Sequence, residues 1–260
     1  MSVPQSTPVR QSVSWWCFQN RGVEDETLLR RIREIGYEAV ELISQDRFEM
    51  ARDQGLAIAS HIAHKSITVG LNDPREHDRI EAEIDQSLAL AVQYQIPNLI
   101  VFSGNRRDGL SDAQGVEEAA RGLRRVAGAA EEVGVTLLLE LLNSRVDHAG
   151  YQCDRSEWGI SVCEMVGSPR VKLLYDIYHM QVMEGDIIAR IQQHHRYFGH
   201  YHTAGVPGRH DLDAAQELNY PGIVRAIAET GYGGYLGHEF IPKGDTISAL
   251  QAAYDLCRLG

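Results

Sequence analysis

Apolar residues recur along this chain in short unbroken runs, and between the runs they recur at helical spacing. The runs are SVSWWCF, YEAVELI, AIASHIAH, NLIVFSG, TLLLELL, VKLLYDIYHM, YFGHYHTAG and YLGHEFIP. Apolar side chains continue through them without the alternation of a half-exposed sheet, so each predicts a buried parallel strand. Between them lie amphipathic stretches: ETLLRRIREIG, RFEMARDQG, residues from about 74 to 95, VEEAARGLRRVAGAAEEVG, RSEWGISVCEMVG, GDIIARIQQH, YPGIVRAIAETG and TISALQAAYDLCRL. Gly36, Gly55, Gly134, Gly167 and Gly231 each fall where such a helix needs a C-terminal cap.

Strand and helix signals thus alternate eight times. In a chain of 260 residues this predicts an α/β fold, a single (β/α)8 TIM barrel over 1–260, rather than an open doubly wound sheet. No proline-rich or low-complexity linker divides it. The polar residues 1–11 are expected to form a flexible extension. That stretch lacks the apolar core of a signal peptide, and no apolar run reaches the length of a membrane span, so a cytoplasmic protein is expected. The formal net charge of −11 argues against nucleic acid as the main partner and for a small molecule. Cys17, Cys153, Cys163 and Cys257 show no metal-type spacing and are expected as free buried thiols.

A TIM barrel carries its chemistry at the C-terminal ends of its strands. Glu140, Asp176, His202 and Glu239 end four successive runs. A charge at the edge of a buried core is costly unless it is paired or holds a metal. Any one such residue more often caps a loop, but four in succession are better read as a single metal site. Three carboxylates and one imidazole suit Mn²⁺ or Mg²⁺, with Co²⁺ possible, and lack the thiolates or multiple imidazoles that favour Zn²⁺.

Other candidates surround this set. Arg209 and His210, in VPGRH, could meet a substrate carboxylate; alternatively Arg209 pairs with Asp211 or Asp213 and orders its loop. Glu217 and Asn219 could touch substrate, and Asn219 could equally be the N-cap of the helix starting near Pro221. His61 is carried as a candidate substrate contact, although for it and for Glu41 a hydrogen-bonded structural role is the safer reading. Trp15, Trp16 and Phe18 could wall the pocket or simply fill core.

The segment HTAGVPGRHDLDAAQELNYPGIVRAI, with LLLELLNSRVDHAGY before it and GYGGYLGHEFIP after it, resembles the hydroxypyruvate isomerase branch of the xylose-isomerase-like TIM barrels. The resemblance covers essentially the whole chain. It implies one divalent cation held by the four strand-end residues, with Glu140 and Glu239 as an acid–base pair flanking a small keto acid or ketose. His179, three residues after Asp176, would then hydrogen-bond a substrate oxygen, a spacing that recurs in related epimerases. A homo-oligomer is also implied. His202 stands where bacterial hydroxypyruvate isomerases usually carry Gln, a choice shared with ketose C3-epimerases. The expected function is a metal-dependent aldose–ketose type isomerase working through an enediolate. Alternatives are a ketose C3-epimerase, a dehydratase of a cyclic polyol ketone and a non-catalytic sugar-binding barrel, the last disfavoured by the retained glutamate pair. A zinc endonuclease would need more histidines and a basic groove.

Overall fold

The buried runs become short strands, most followed by a helix, in a computed structural model that describes residues 9–259. The chain packs as two compact units: one runs to Ala57 and resumes over Asp186–Arg196 and from Tyr201, and the other holds Ile58–Gly185 and Tyr197–His200.

In the first unit β1 (Arg10–Ser14) pairs in parallel with β2 (Ala39–Glu41) and β9 (Tyr235–His238). The register sets Ser14 beside Glu41 and Val13 beside His238. The second half of β8 (Phe198–Thr203) continues this sheet, with His202 opposite Gly237. Helices α1 (Asp25–Ile35), α2 (Phe48–Asp53), α7 (Ile187–His194), α8 (Tyr220–Glu229) and α9 (Thr246–Cys257) complete the unit. Asn219 does cap α8, its side chain accepting from Gly222 N at 3.3 Å.

In the second unit β4 (His61–Ile62), β5 (Asn98–Val101), β6 (Thr136–Glu140) and β7 (Val171–Asp176) pair successively in parallel. Helices α3 (His77–Tyr94), α4 (Asp112–Val133) and α5 (Ser156–Val166) connect them, and α6 (Ile177–Met183) follows β7 directly. A reciprocal capping box between Ser111 and Gln114 starts α4, and Gly134 at φ 73° ends it.

With β3 (Ala57–Ile58) added, the strand order is β3–β2–β1–β9–β8–β7–β6–β5–β4. Among the described residues nine segments replace the eight expected, because the third run is split. β3 and β4 are separated by Ala59 and Ser60, and the chain changes partners there: Ala57 N donates to Glu38 O, and Ala63 N to Ile100 O. Two runs are also shorter than their hydropathy suggests. Trp15–Cys17 already turn as a 3-10 helix, and the VKLLYDIYHM strand stops at Asp176. The Asp176 carboxylate accepts the backbone N–H of His179 at 2.9 Å and so starts α6. Of the extension expected over residues 1–11, residues 1–8 lie outside the described residues, while Arg10 and Gln11 already belong to β1. All four cysteines are buried thiols. Among the described residues no helix is long and apolar enough to cross a membrane.

His64 ties β5 to the loop after β4. Its Nε2 accepts the backbone N–H of Phe102 at 2.9 Å while Nδ1 faces Lys65 O at 3.1 Å, so the neutral Nδ1–H tautomer satisfies both. Burial pushes its pKa down to about 4. The unfolded chain therefore takes up a proton near pH 6.5 that the folded one refuses, and stability falls as pH drops through that window toward 4, by about 1.4 kcal/mol per pH unit. Replacing His64 with Gln should lower stability at pH 7 yet flatten the decline between pH 6.5 and 4.5. Urea midpoints at the two pH values check this, and an unchanged slope would exclude His64 as the source.

Candidate metal and catalytic site

β6 and β7 end in carboxylates for one structural reason. Leu137–Leu139 and Leu173–Leu174 are fully buried, and the first polar side chains the strands can offer at their ends are Glu140 and Asp176. Glu140 is 6% exposed and Asp176 1%. Tyr151 pins the end of β6, its hydroxyl donating to Glu140 O at 3.0 Å while accepting from Ser103 N. Just beyond, Asn143 Nδ2 lies 2.6 Å from Nδ1 of His179 and 2.6 Å from Asp147 Oδ2. Tyr178 OH donates to that same Asp147 oxygen at 2.8 Å.

In the first unit His202 sits between two carboxylates. Its Nδ1 is 3.2 Å from Glu239 Oε2 and its Nε2 is 3.2 Å from Glu41 Oε2, with Ser12 Oγ donating to the other Glu41 oxygen at 2.6 Å. Burial disfavours an imidazolium here, but the charges of Glu239 and Glu41 outweigh it and raise the His202 pKa well above the ordinary value. To ligate a cation His202 must release that proton. The Glu239 carboxyl is also buried, and the guanidinium of Arg209, then His202, hold it well below the usual carboxylate range. Arg209 Nη2 donates to Glu239 Oε2 at 2.5 Å, Trp16 Nε1 to Oε1 at 2.8 Å, and the Arg209 guanidinium lies 5.2 Å from the Trp16 ring centre. Gly237, opposite His202 in the register, is required by close approach: a Cβ there would run into Glu41 Oε1 and the His202 ring.

Glu140 and Asp176 end neighbouring strands of the second unit, His202 and Glu239 stand at the ends of neighbouring strands of the first, and each can offer one ligand atom. All four are buried. Four buried donors, three of them carboxylates, fit a hard divalent cation in number and chemistry. Sequence reading did not foresee the contact between Glu41 and His202.

The remaining candidates are placed as follows. His179 is fully buried on the first turn of α6. Arg209 pairs with Glu239, while Asp213 takes Lys243 Nζ at 2.6 Å and Asp211 takes Lys243 N at 2.9 Å. His210 Nδ1 faces Ile241 O at 2.9 Å, a bond that orders the loop. Glu217 is exposed, with its backbone N–H on Val206 O, and His61 is half-buried at the start of β4. For Trp16 an aromatic in a first strand usually means core, but its side chain reaches Glu239. It is 40% exposed, whereas its neighbour Trp15 is 1% exposed.

A strand–helix fold with carboxylate and imidazole side chains at strand ends defines the class of α/β barrels, which carry their chemistry at that end of the strands. The chain belongs to the family described as xylose isomerase-like TIM barrel, whose model matches residues 29–256. A 2-oxo-tetronate isomerase from Cupriavidus necator is 39% identical over 124 residues, 48% of this chain and 47% of that protein. The match thus spans about half the length of that relative. A Xenopus laevis protein, provisionally named a hydroxypyruvate isomerase, is 25% identical over 241 residues, 85% of this chain and 86% of its own. Among solved structures, an AP endonuclease of family 2 from Brucella melitensis superposes with a TM-score of 0.83 at 24% identity, covering 94% of this chain and 97% of its own. A D-psicose 3-epimerase from Clostridium cellulolyticum H10 superposes at 0.75 with 19% identity, over 95% and 98%. At these identities the structural likenesses establish the fold alone.

Proposed function

We propose that this protein is an isomerase of a small keto acid or ketose that moves a carbonyl to the neighbouring carbon through an enediolate, with a divalent cation held by Glu140, Asp176, His202 and Glu239. The observation that carries this reading is a pair of buried donors at neighbouring strand ends in each unit, each pair containing one glutamate: Glu140 with Asp176, and Glu239 with His202. Binding alone would not require both glutamates. When bound, Mn²⁺ or Mg²⁺ supplies stabilisation for the negative charge that develops on the substrate oxygens. One glutamate removes the proton beside the carbonyl, and the other delivers a proton to the adjacent carbon. Trp16 holds Oε1 of Glu239, which leaves Oε2 as the oxygen whose partners can change. Arg209 offers a guanidinium that a substrate carboxylate could take from Glu239, freeing that oxygen. This favours a keto acid over a neutral sugar, in keeping with the names of the relatives. His179 supplies a further substrate contact, and His61, His210 and Glu217 are weaker ones.

Epimerisation at C3 is the second reading, favoured by His202 in place of Gln. Proton NMR in D₂O separates the two. Metal-loaded protein incubated with hydroxypyruvate and a panel of free ketoses should put deuterium beside the carbonyl. An aldehyde or aldose product supports isomerisation and a C3 epimer supports the second reading. Absence of exchange with every compound would move the reading to dehydration or binding.

A further inference from the structure

The LLNSRVDHAGY loop after β6 takes no part in the metal set, yet its hydrogen bonds determine what His179 can do. Asn143 Oδ1 accepts two backbone N–H groups, those of Val146 and Asp147, each at 2.9 Å. Only the carbonyl end of the amide can do this, so the orientation of Asn143 is settled by the backbone. Its Nδ2 then points both hydrogens at acceptors: one at Asp147 Oδ2, 2.6 Å away, and one at Nδ1 of His179, 2.6 Å away. All the donors and one acceptor of the amide are thereby used. A proton on Nδ1 of His179 would set two N–H donors against each other at that distance.

We infer that Asn143 is a positioning residue that holds His179 as the Nε2–H tautomer, so that His179 acts as a hydrogen-bond donor to a substrate oxygen. The donating atom is on the opposite edge of the ring from Asn143, 3.9 Å from Oδ2 of Asp176. The ring itself is held in place: His179 is fully buried, its backbone N–H is on Asp176, and the rings of Tyr178 and His148 pack edge-on at 5.1 and 5.3 Å. With orientation and tautomer both fixed, an N–H is presented without reorganisation, and the chemistry it recognises is a carbonyl or hydroxyl oxygen. Asp147 serves this arrangement at one remove. It accepts from Asn143 and from Tyr178 OH, which keeps the second amide hydrogen from competing for another partner.

The functional half of this inference rests on the isomerase reading; the tautomer does not. The first measurement is long-range ¹⁵N–¹H NMR of the imidazoles in metal-loaded wild-type protein, with His179 assigned by comparison with His179→Gln. Nδ1 is expected in the unprotonated range and Nε2 in the protonated range; the reverse, or two protonated nitrogens, overturns the inference without touching the isomerase reading. The second uses the exchange pair Asn143→Asp with Asp147→Asn, which keeps the charge and the number of hydrogen bonds but turns an acceptor toward Nδ1. The tautomer should invert and kcat fall by about 10- to 100-fold with the melting temperature little changed. Inversion with unaltered kcat would overturn the donor role. If the pair does not fold, the wild-type spectrum still decides the tautomer, and failure of wild-type deuterium exchange would count against the isomerase reading alone.

Discussion

Glu239→Gln is expected to lower turnover by about 10²- to 10⁴-fold, because an amide cannot take a proton from carbon. The structure adds a second cost. Oε1 of Glu239 receives Trp16 N–H, and Oε2 receives Arg209, with His202 also beside it. A carboxylate meets donors on both oxygens, but an amide must turn its NH₂ against one of them. The misfit should cost about 1–3 kcal/mol locally and weaken the cation site, so turnover must be compared at saturating metal. Deuterium exchange at the carbon beside the carbonyl is the decisive readout. Near-wild-type exchange in a folded, metal-saturated variant would remove Glu239 from the acid–base pair.

Removal of the cation should have the other large effect. Without it the buried carboxylates of Glu140, Asp176 and Glu239 lose a neutralising charge, and Arg209 pairs with Glu239 alone of the three. Chelation is expected to abolish activity and lower the melting temperature; Mn²⁺ or Mg²⁺ should restore both. A cation at a hundredfold excess over its Kd stabilises the folded state by about 2.7 kcal/mol. For a chain of this size that corresponds to roughly 5–10 °C. Asp176→Asn should blunt the thermal response together with the activity. Full activity in the chelated protein, verified metal-free, would sink the metal reading. Activity lost without any change in melting would place the cation elsewhere.

The strand ends were legible because burial leaves a one-dimensional trace. A run such as TLLLELL can bury its leucines and bring Glu140 to the end of the strand in only a few ways, and the same holds for VKLLYD and Asp176. Partnerships that depend on side chains approaching from distant strands left no such trace. Glu41 looked like a lone acid in an apolar run, and only the fold sets it against His202. Trp16 and Asn143 reach their partners through side-chain N–H groups, whose direction is set by a 3-10 turn and by two backbone amides respectively. Apolarity persists through the VKLLYDIYHM run into α6, past the strand end at Asp176. It is the Asp176 side chain, acting as a cap, that converts strand to helix there. For Arg209 the sequence left two outcomes open, a substrate contact or a pair with Asp211 or Asp213, whereas its partner in the structure is Glu239.

Gly237 carries a consequence for how far this chain could drift. A methyl group at that position would collide with Glu41 and His202 together, so the smallest substitution there disturbs a buried charge and a proposed ligand in one step. A lineage that replaced Gly237 would first have to move both the Glu41 carboxylate and the His202 ring. A hydrogen atom in place of a side chain, midway along β9, thus restricts which neighbouring sequences evolution can reach.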